Sequence, residues 1–168
     1  PAELPMLLVM GGSRGAHSIN EAVWASLEAW LPGMVVVHVT GEGEYQQALL
    51  RQAALSEEQQ VGYRPCPYLH EEMTAALVAA DLVLARAGAA TLGEFPAAAL
   101  PAVLVPYPYA GEHQRRNARY LEERGAAILL DDQLLAERLA PTVVGLMSDR
   151  ERLAAMSAAA RELAVPGA

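Results

Sequence analysis

Residues 86–121 read RAGAATLGEFPAAALPAVLVPYPYAGEHQRRNARYL: a loop, a helix, a strand, a second loop and a second helix, in that order. Just before them, Asp81-Leu-Val-Leu-Ala85 is an apolar run of strand length that stops abruptly at Arg86-Ala87-Gly88. Gly88 lets the chain turn sharply, and the small residues Ala89 and Ala90 leave room for a ligand against the backbone. The helix expected from about Thr91 to Leu100 directs its unpaired N–H groups and positive dipole end at that spot, which favours a phosphate. Glu94 follows Thr91 by three residues and has two readings. It is the partner of Thr91 in a capping box, or a carboxylate that accepts hydrogen bonds from both hydroxyls of a ribose; spacing leaves both open. Ala102-Val-Leu-Val105, closed by Pro106, is the next strand, and a loop containing Pro108, Ala110 and Gly111 leads to a polar helix start at Glu112-His113-Gln114. Two successive strand ends thus deliver polar groups to one edge.

The same alternation runs through the whole chain. Leu7-Leu-Val-Met10 is a buried-strand signal followed at once by Gly11-Gly12-Ser13-Arg14-Gly15-Ala16 and by a helix from about His17 to Trp30, with Ile19, Val23, Leu27 and Trp30 on one face. The glycine spacing only approximates a dinucleotide fingerprint and is not a Walker A pattern; a tight turn without a ligand is the alternative, and Ser13 is the group that would face a phosphate. Met34 to Thr40 is a β-branched strand of the kind covered on both faces, with His38 inside it as a packed core residue. Glu44 to about Leu55 is expected to be helical, Val61 to Pro67 a Pro-interrupted strand at an edge, and Glu71 to Ala80 a helix. Ala126 to Leu130 is the sixth strand, Asp131-Asp132 its exit turn, and two helices follow, Leu134 to Met147 and Arg150 to about Leu163, with Asp149 as the cap between them. Strand and helix alternate six times. The expected fold is one α/β domain over residues 1–168, a Rossmann-like doubly wound parallel six-stranded sheet with ligands at the C-terminal strand ends.

Composition narrows the chemistry. At 53% apolar but only 5% aromatic residues, the core must be built from Ala, Leu and Val. No apolar run reaches the roughly 18 residues of a membrane span, and the start of the chain lacks the features of a signal peptide. The single Cys66 excludes an internal disulfide and a multi-cysteine metal site. All basic residues are Arg, so neither a Schiff-base lysine nor a Walker lysine is available. A formal charge of −8 argues against a nucleic-acid surface or an anionic-membrane patch, so any phosphate site must be local.

Gly11-Gly12-Ser13-Arg14-Gly15-Ala16, Arg86-Ala-Gly-Ala-Ala-Thr-Leu-Gly-Glu94, Pro101-Ala-Val-Leu-Val-Pro106, Glu112-His-Gln114 and Asn117-Ala118 together closely resemble the MurG family, from about Leu7 to Leu163. That family transfers N-acetylglucosamine from UDP-N-acetylglucosamine to the lipid-linked muramyl pentapeptide of cell-wall synthesis, converting lipid I to lipid II. Its members have two Rossmann-like halves in the GT-B arrangement, and this sequence resembles the C-terminal, donor-binding half, so the resemblance implies an N-terminal acceptor half that this sequence lacks. It also implies Ser13 at the diphosphate, Ala89, Ala90, Thr91 and Leu92 along the nucleotide-sugar, Glu94 on the ribose hydroxyls, Gln114 on the sugar hydroxyls, and backbone near Leu69 and His70 at the uracil. Gly12, Arg14, Gly15, Gly88, Arg86 and Asn117 support these, the last two by holding loops. The sequence departs from the family at Arg14, where Gln is common, at Gly93, where Ser is common, and at Tyr68 to Met73, one residue longer than usual. No paired His/Asp cluster stands at metal-ligand spacing, and no metal or cofactor is expected for binding.

The implied mechanism is inversion by direct displacement, with this half gripping UDP and the base that activates the acceptor on the N-terminal half. The chain alone should bind but not turn over. The implied location is cytoplasmic, the whole enzyme lying peripherally on the inner face of the cell membrane and meeting its lipid-linked acceptor through the N-terminal half. Two other readings compete: half of a UDP-sugar 2-epimerase, which needs several acid/base residues that this sequence does not supply, and a non-catalytic nucleotide-binding module.

Overall fold

The computed structural model describes residues 3–11 and 17–165, with Ala90 described by its backbone alone. Six strands form one parallel sheet: β1 (Met6–Met10), β2 (Val35–Val39), β3 (Tyr63–Cys66), β4 (Leu82–Ala85), β5 (Ala102–Leu104) and β6 (Ala127–Leu129). Their order, β3-β2-β1-β4-β5-β6, reverses direction between β1 and β4, and this reversal opens the crevice in which doubly wound folds bind ligands. Among the described residues, eight helices connect and follow the strands, α2 and α3 both between β2 and β3 and α7 and α8 both after β6: α1 (His17–Trp30), α2 (Glu42–Ala53), α3 (Glu57–Gly62), α4 (Met73–Ala79), α5 (Ala90–Ala97), α6 (Glu112–Glu123), α7 (Leu135–Met147) and α8 (Arg150–Glu162).

Successive strand residues point to opposite faces, so the sheet carries two cores. Leu7, Val9, Val36, Leu82, Leu84, Val103 and Val105 pack on one side with Trp24, Leu27 and Trp30 of α1 and Leu139, Val143 and Leu146 of α7. Leu8, Val83, Ala85, Ala102 and Leu104 pack on the other with Phe95 of α5, Ala118 and Leu121 of α6 and Ala160 of α8. Because both faces are covered, every residue of β4 is buried, which is why its sequence shows no polar alternation. Among the described residues, no helix is long and apolar enough to cross a membrane.

Three local expectations are corrected. Helix α3 adds to the expected elements, its start fixed by a capping box in which the Ser56 hydroxyl accepts from the Gln59 N–H and the Gln59 side chain accepts from the Ser56 N–H, both at 3.2 Å. Helix α5 stops at Ala97, short of Leu100, because Ala99 adopts φ 52°, a left-handed value, and the Ala99 and Leu100 N–H groups turn back to the carbonyls of Pro96 (2.9 Å) and Phe95 (3.0 Å). Helix α4 starts at Met73, with Glu71 and Glu72 before it. By contrast, α1 spans the expected residues, β3 lies at a sheet edge, and Asp149 caps α8 by accepting from the Arg152 N–H at 3.0 Å.

Candidate functional site

All six strands run in parallel, so the segments after them gather at one edge: Gly11, Thr40-Gly41, Pro67 to His70, Arg86 to Thr91, Pro106 to Gly111 and Leu130 to Asp132. Two of these turns depend on glycine. Gly41 (φ 80°, ψ 157°) precedes α2 and Gly111 (φ 70°, ψ −155°) precedes α6, both in a region that side chains other than hydrogen rarely enter. Gly12, Ser13, Arg14 and Gly15 lie outside the described residues.

Glu94 is not half of a capping box. Ala89 occupies the N-cap position of α5 without a side-chain cap, while Thr91 lies inside the helix, fully buried, its hydroxyl directed at the Arg86 carbonyl at 3.5 Å. Glu94 is exposed, like the neighbouring Leu92 and Gly93, and its side chain has no hydrogen-bond or ion-pair partner among the described residues. A carboxylate left unpaired midway along the short helix that follows the switch point is free to accept from a ligand. Gly88 is corrected too. It does not take a positive φ, and a Cβ there would meet no described atom within 4 Å, so its value lies in the open space it leaves above the turn.

The turn after β4 is held from below. Asn117 of α6 donates to the Ala87 carbonyl at 3.0 Å, which anchors the loop as expected. Arg86 is buried, and its guanidinium donates to the carbonyls of Val105 (3.2 Å) and Pro106 (3.5 Å), to Asp132 Oδ1 (2.7 Å) and to Ser18 Oγ (2.9 Å), while lying 5.2 Å from the centre of the Tyr107 ring. Gln114 holds its own loop: its Oε1 accepts from the Tyr107 N–H at 2.8 Å, which leaves its Nε2 as the group available for a ligand. On the other flank, Leu69 is partly buried against the core and His70 is exposed, 5.7 Å from Tyr68 between ring centres.

A buried polar chain supports the edge from the α1 side. Asn20 donates from Nδ2 to the Thr40 carbonyl (3.1 Å) and to Glu44 Oε1 (3.0 Å), so its Oδ1 accepts from His38 Nε2–H at 2.7 Å. The bare His38 Nδ1 then accepts from the Tyr63 hydroxyl at 2.9 Å, which in turn accepts from Trp24 Nε1–H at 3.0 Å. Burial pushes His38 down to about 3 and Tyr63 up to about 12, so both are neutral, consistent with this one-way donor sequence. The chain emerges at His17, whose Nδ1 lies 2.8 Å from Glu44 Oε2; the hydrogen bond and charge of Glu44 raise its pKa. His17, Glu21 and Glu44 bring ligand atoms within 4.8 Å of one another, a grouping that sequence spacing did not reveal because Glu44 is on a different helix. Cys66 is partly buried, and burial, with the nearby Glu72, raises its thiol pKa, which suits packing rather than nucleophilic work.

The profile of the glycosyltransferase family 28 C-terminal domain matches residues 6–167. A relative from Roseiflexus sp. (strain RS-1), described as a UDP-N-acetylglucosamine--N-acetylmuramyl-(pentapeptide) pyrophosphoryl-undecaprenol N-acetylglucosamine transferase, is 45% identical over 188 residues, which cover 99% of this chain and 42% of the relative. A relative of the same description from Desulforamulus reducens is 41% identical over 168 residues, covering 96% of this chain and 45% of its own. The chain thus spans a little under half the length of these curated relatives. Among solved structures, MurG of Acinetobacter baumannii superposes with a TM-score of 0.85 at 31% identity, over 100% of this chain and 51% of that one. A putative UDP-N-acetylglucosamine 2-epimerase from Listeria monocytogenes superposes at 0.71 with 16% identity, over 94% of this chain and 39% of that one, a likeness of fold alone. With the family's profile matched over residues 6–167 and the fold shared over the whole chain with a solved MurG, this chain belongs to the glycosyltransferase family 28 C-terminal domain family.

Proposed function

We propose that this chain binds UDP-N-acetylglucosamine as the donor half of an inverting N-acetylglucosaminyltransferase whose acceptor is the lipid-linked muramyl pentapeptide of cell-wall synthesis. The observation that carries this reading is Glu94: an exposed carboxylate with no described side-chain partner, midway along the short helix α5 that follows the point where the sheet order reverses, in a chain of a glycosyltransferase family. There it accepts from the two ribose hydroxyls. The α5 N-terminus, the space above Gly88 and the small residues Ala89 and Ala90 receive the diphosphate side together with Ser13, and Leu92 borders the nucleotide-sugar. Leu69 and His70 supply backbone to the uracil, and the free Nε2 of Gln114 donates to the sugar.

As the bond from sugar C1 to the diphosphate breaks, negative charge grows on the leaving group, and helix N–H groups already aimed at it offset that charge without reorganising. No metal is assigned to this binding. An N-terminal half supplies the base that deprotonates the acceptor hydroxyl and the surface that meets the cytoplasmic face of the membrane. Calorimetric titration of the chain with UDP, UDP-N-acetylglucosamine and NAD, with and without EDTA, tests the reading. Binding of both uridine nucleotides that persists in EDTA supports it; tight NAD binding with no response to UDP overturns it.

A further inference from the structure

Of the polar clusters at this edge, one joins four separate elements. Asp132 Oδ1 accepts from Arg86 Nη1 at 2.7 Å and from the Ser18 hydroxyl at 2.7 Å, and Ser18 Oγ accepts from Arg86 Nη2 at 2.9 Å, so the three side chains close a ring. Ser18 is the second residue of α1, Arg86 begins the turn before α5, and Asp132 opens the 3-10 turn Asp132–Leu134. The same guanidinium also binds the carbonyls of Val105 and Pro106, in the loop after β5. The Arg86 side chain is 5% exposed and that of Asp132 21%, so the pair is shielded enough to be rigid rather than one of the solvated ion pairs that contribute little. The sequence separations, 46 residues from Arg86 to Asp132 and 114 from Ser18 to Asp132, put this ring beyond any local motif.

We propose that Ser18 and Asp132 are positioning residues for the diphosphate: through Arg86 they lock the start of α1 against the turn before α5, so that the groups on both sides of the switch point converge on one pair of phosphates. This rests on the UDP-sugar reading above. The nucleoside end depends on a different set of supports, since Glu94 rides on α5, whose entry is held by Asn117 on Ala87, and Leu69 follows β3. Loosening the ring therefore shifts only the first turn of α1, whose remainder is fixed by Val23, Trp24, Leu27 and Trp30 in the core, while the ribose contact stays. Misalignment of preorganised donors is expensive even when small.

The test compares UDP with uridine on three proteins: the wild-type chain, Ser18→Ala and Asp132→Asn, with UDP measured by calorimetry and uridine by ligand-observed NMR. Each variant is expected to lose about tenfold in UDP affinity, the scale of one or two misplaced charge-assisted contacts, while uridine binds within about twofold of wild type. Ser18→Ala removes only a hydroxyl and keeps the Arg86–Asp132 pair, so it remains informative where Asp132→Asn fails to fold. Unchanged UDP affinity in a folded variant overturns the proposal. So does an equal loss for UDP and uridine, which marks a merely structural role. If the wild-type chain itself binds no UDP, the donor reading fails and this proposal with it; if the wild type binds and the variants match it, only the positioning role falls.

Discussion

Lowering the pH should destabilise this fold through His38, and the size of the effect follows from its surroundings. The imidazole is fully buried, donates from Nε2 to Asn20 and accepts at Nδ1 from the Tyr63 hydroxyl. Protonation would put a second donor opposite that hydroxyl, whose oxygen already accepts from Trp24, and burial accordingly lowers the pKa from 6.5 to about 3. Above 6.5 the residue is neutral in both the folded and unfolded chain, so stability is complete; between 6.5 and about 3 the unfolded chain takes up the proton first, and stability falls with pH. At about 1.36 kcal/mol per unit, the whole window is worth roughly 4–5 kcal/mol, and the drop from neutral pH to pH ~4.5 roughly 2–3 kcal/mol. Carboxylates add their own pH dependence, so the informative quantity is a difference. His38→Gln preserves one donor and one acceptor without a titrating ring. Urea unfolding of both proteins at neutral pH and at pH ~4.5 should show the wild type losing about 2–3 kcal/mol more than the variant. Equal losses would refute the claim that His38 is held neutral.

Glu94→Ala should weaken UDP binding by about 1.5–3 kcal/mol, the range for hydrogen bonds to a charged group, with little change in thermal stability, since the side chain has no described partner to lose; a stability loss at unchanged affinity, read by thermal melting and calorimetry together, would contradict this. Gly88→Ala should fold as well as wild type, because the added methyl meets no described atom within 4 Å, yet bind UDP more weakly by filling the space meant for the ligand; undiminished calorimetric affinity would remove the turn from the site. Gln114→Glu keeps the acceptor that holds the Tyr107 N–H but replaces the amide donor, so binding of UDP-N-acetylglucosamine should weaken by about 1–2 kcal/mol relative to UDP; parallel losses for both would show that Gln114 serves the loop. Ala99→Gly should stabilise the chain by about 0.5–1 kcal/mol in urea unfolding, because glycine tolerates a positive φ that costs alanine about that much; a destabilised variant would mean that the backbone there is not strained.

Much of the architecture is written locally. The unbroken apolar runs at Leu7 to Met10 and Leu82 to Ala85, each followed in the sequence by small residues, identify strands buried on both faces, because only a two-sided cover removes the polar alternation. The helical spacing of Ile19, Val23, Leu27 and Trp30 defines α1, and all four are buried. Asn117 is legible as a loop support, and it does hold Ala87. Helix α3 was legible as well, in Ser56 and Gln59, but the apolar pattern that usually draws attention to a helix is absent from its short polar run, which buries no residue. What spacing could not resolve was Glu94, because a capping box and a ribose contact need the same residue types at the same interval. Tertiary structure removes the capping box: α5 begins before Thr91, so that residue is buried inside the helix and Glu94 faces solvent.

The ring of Ser18, Arg86 and Asp132 and the chain from Trp24 to His17 belong wholly to the tertiary structure. Each member is an ordinary residue in an ordinary local setting, and Asp132 reads on its own as nothing more than an exit turn. Periodicity reports how a segment divides itself between core and solvent, which depends on neighbours three or four residues away. Which strand end stands beside which depends on the order β3-β2-β1-β4-β5-β6, and that order is set by how the helices share two faces of one sheet. Local signals in this chain therefore specified the elements and the edge on which ligands collect, while the long-range packing alone decided which side chains brace that edge and which are left free to meet a ligand.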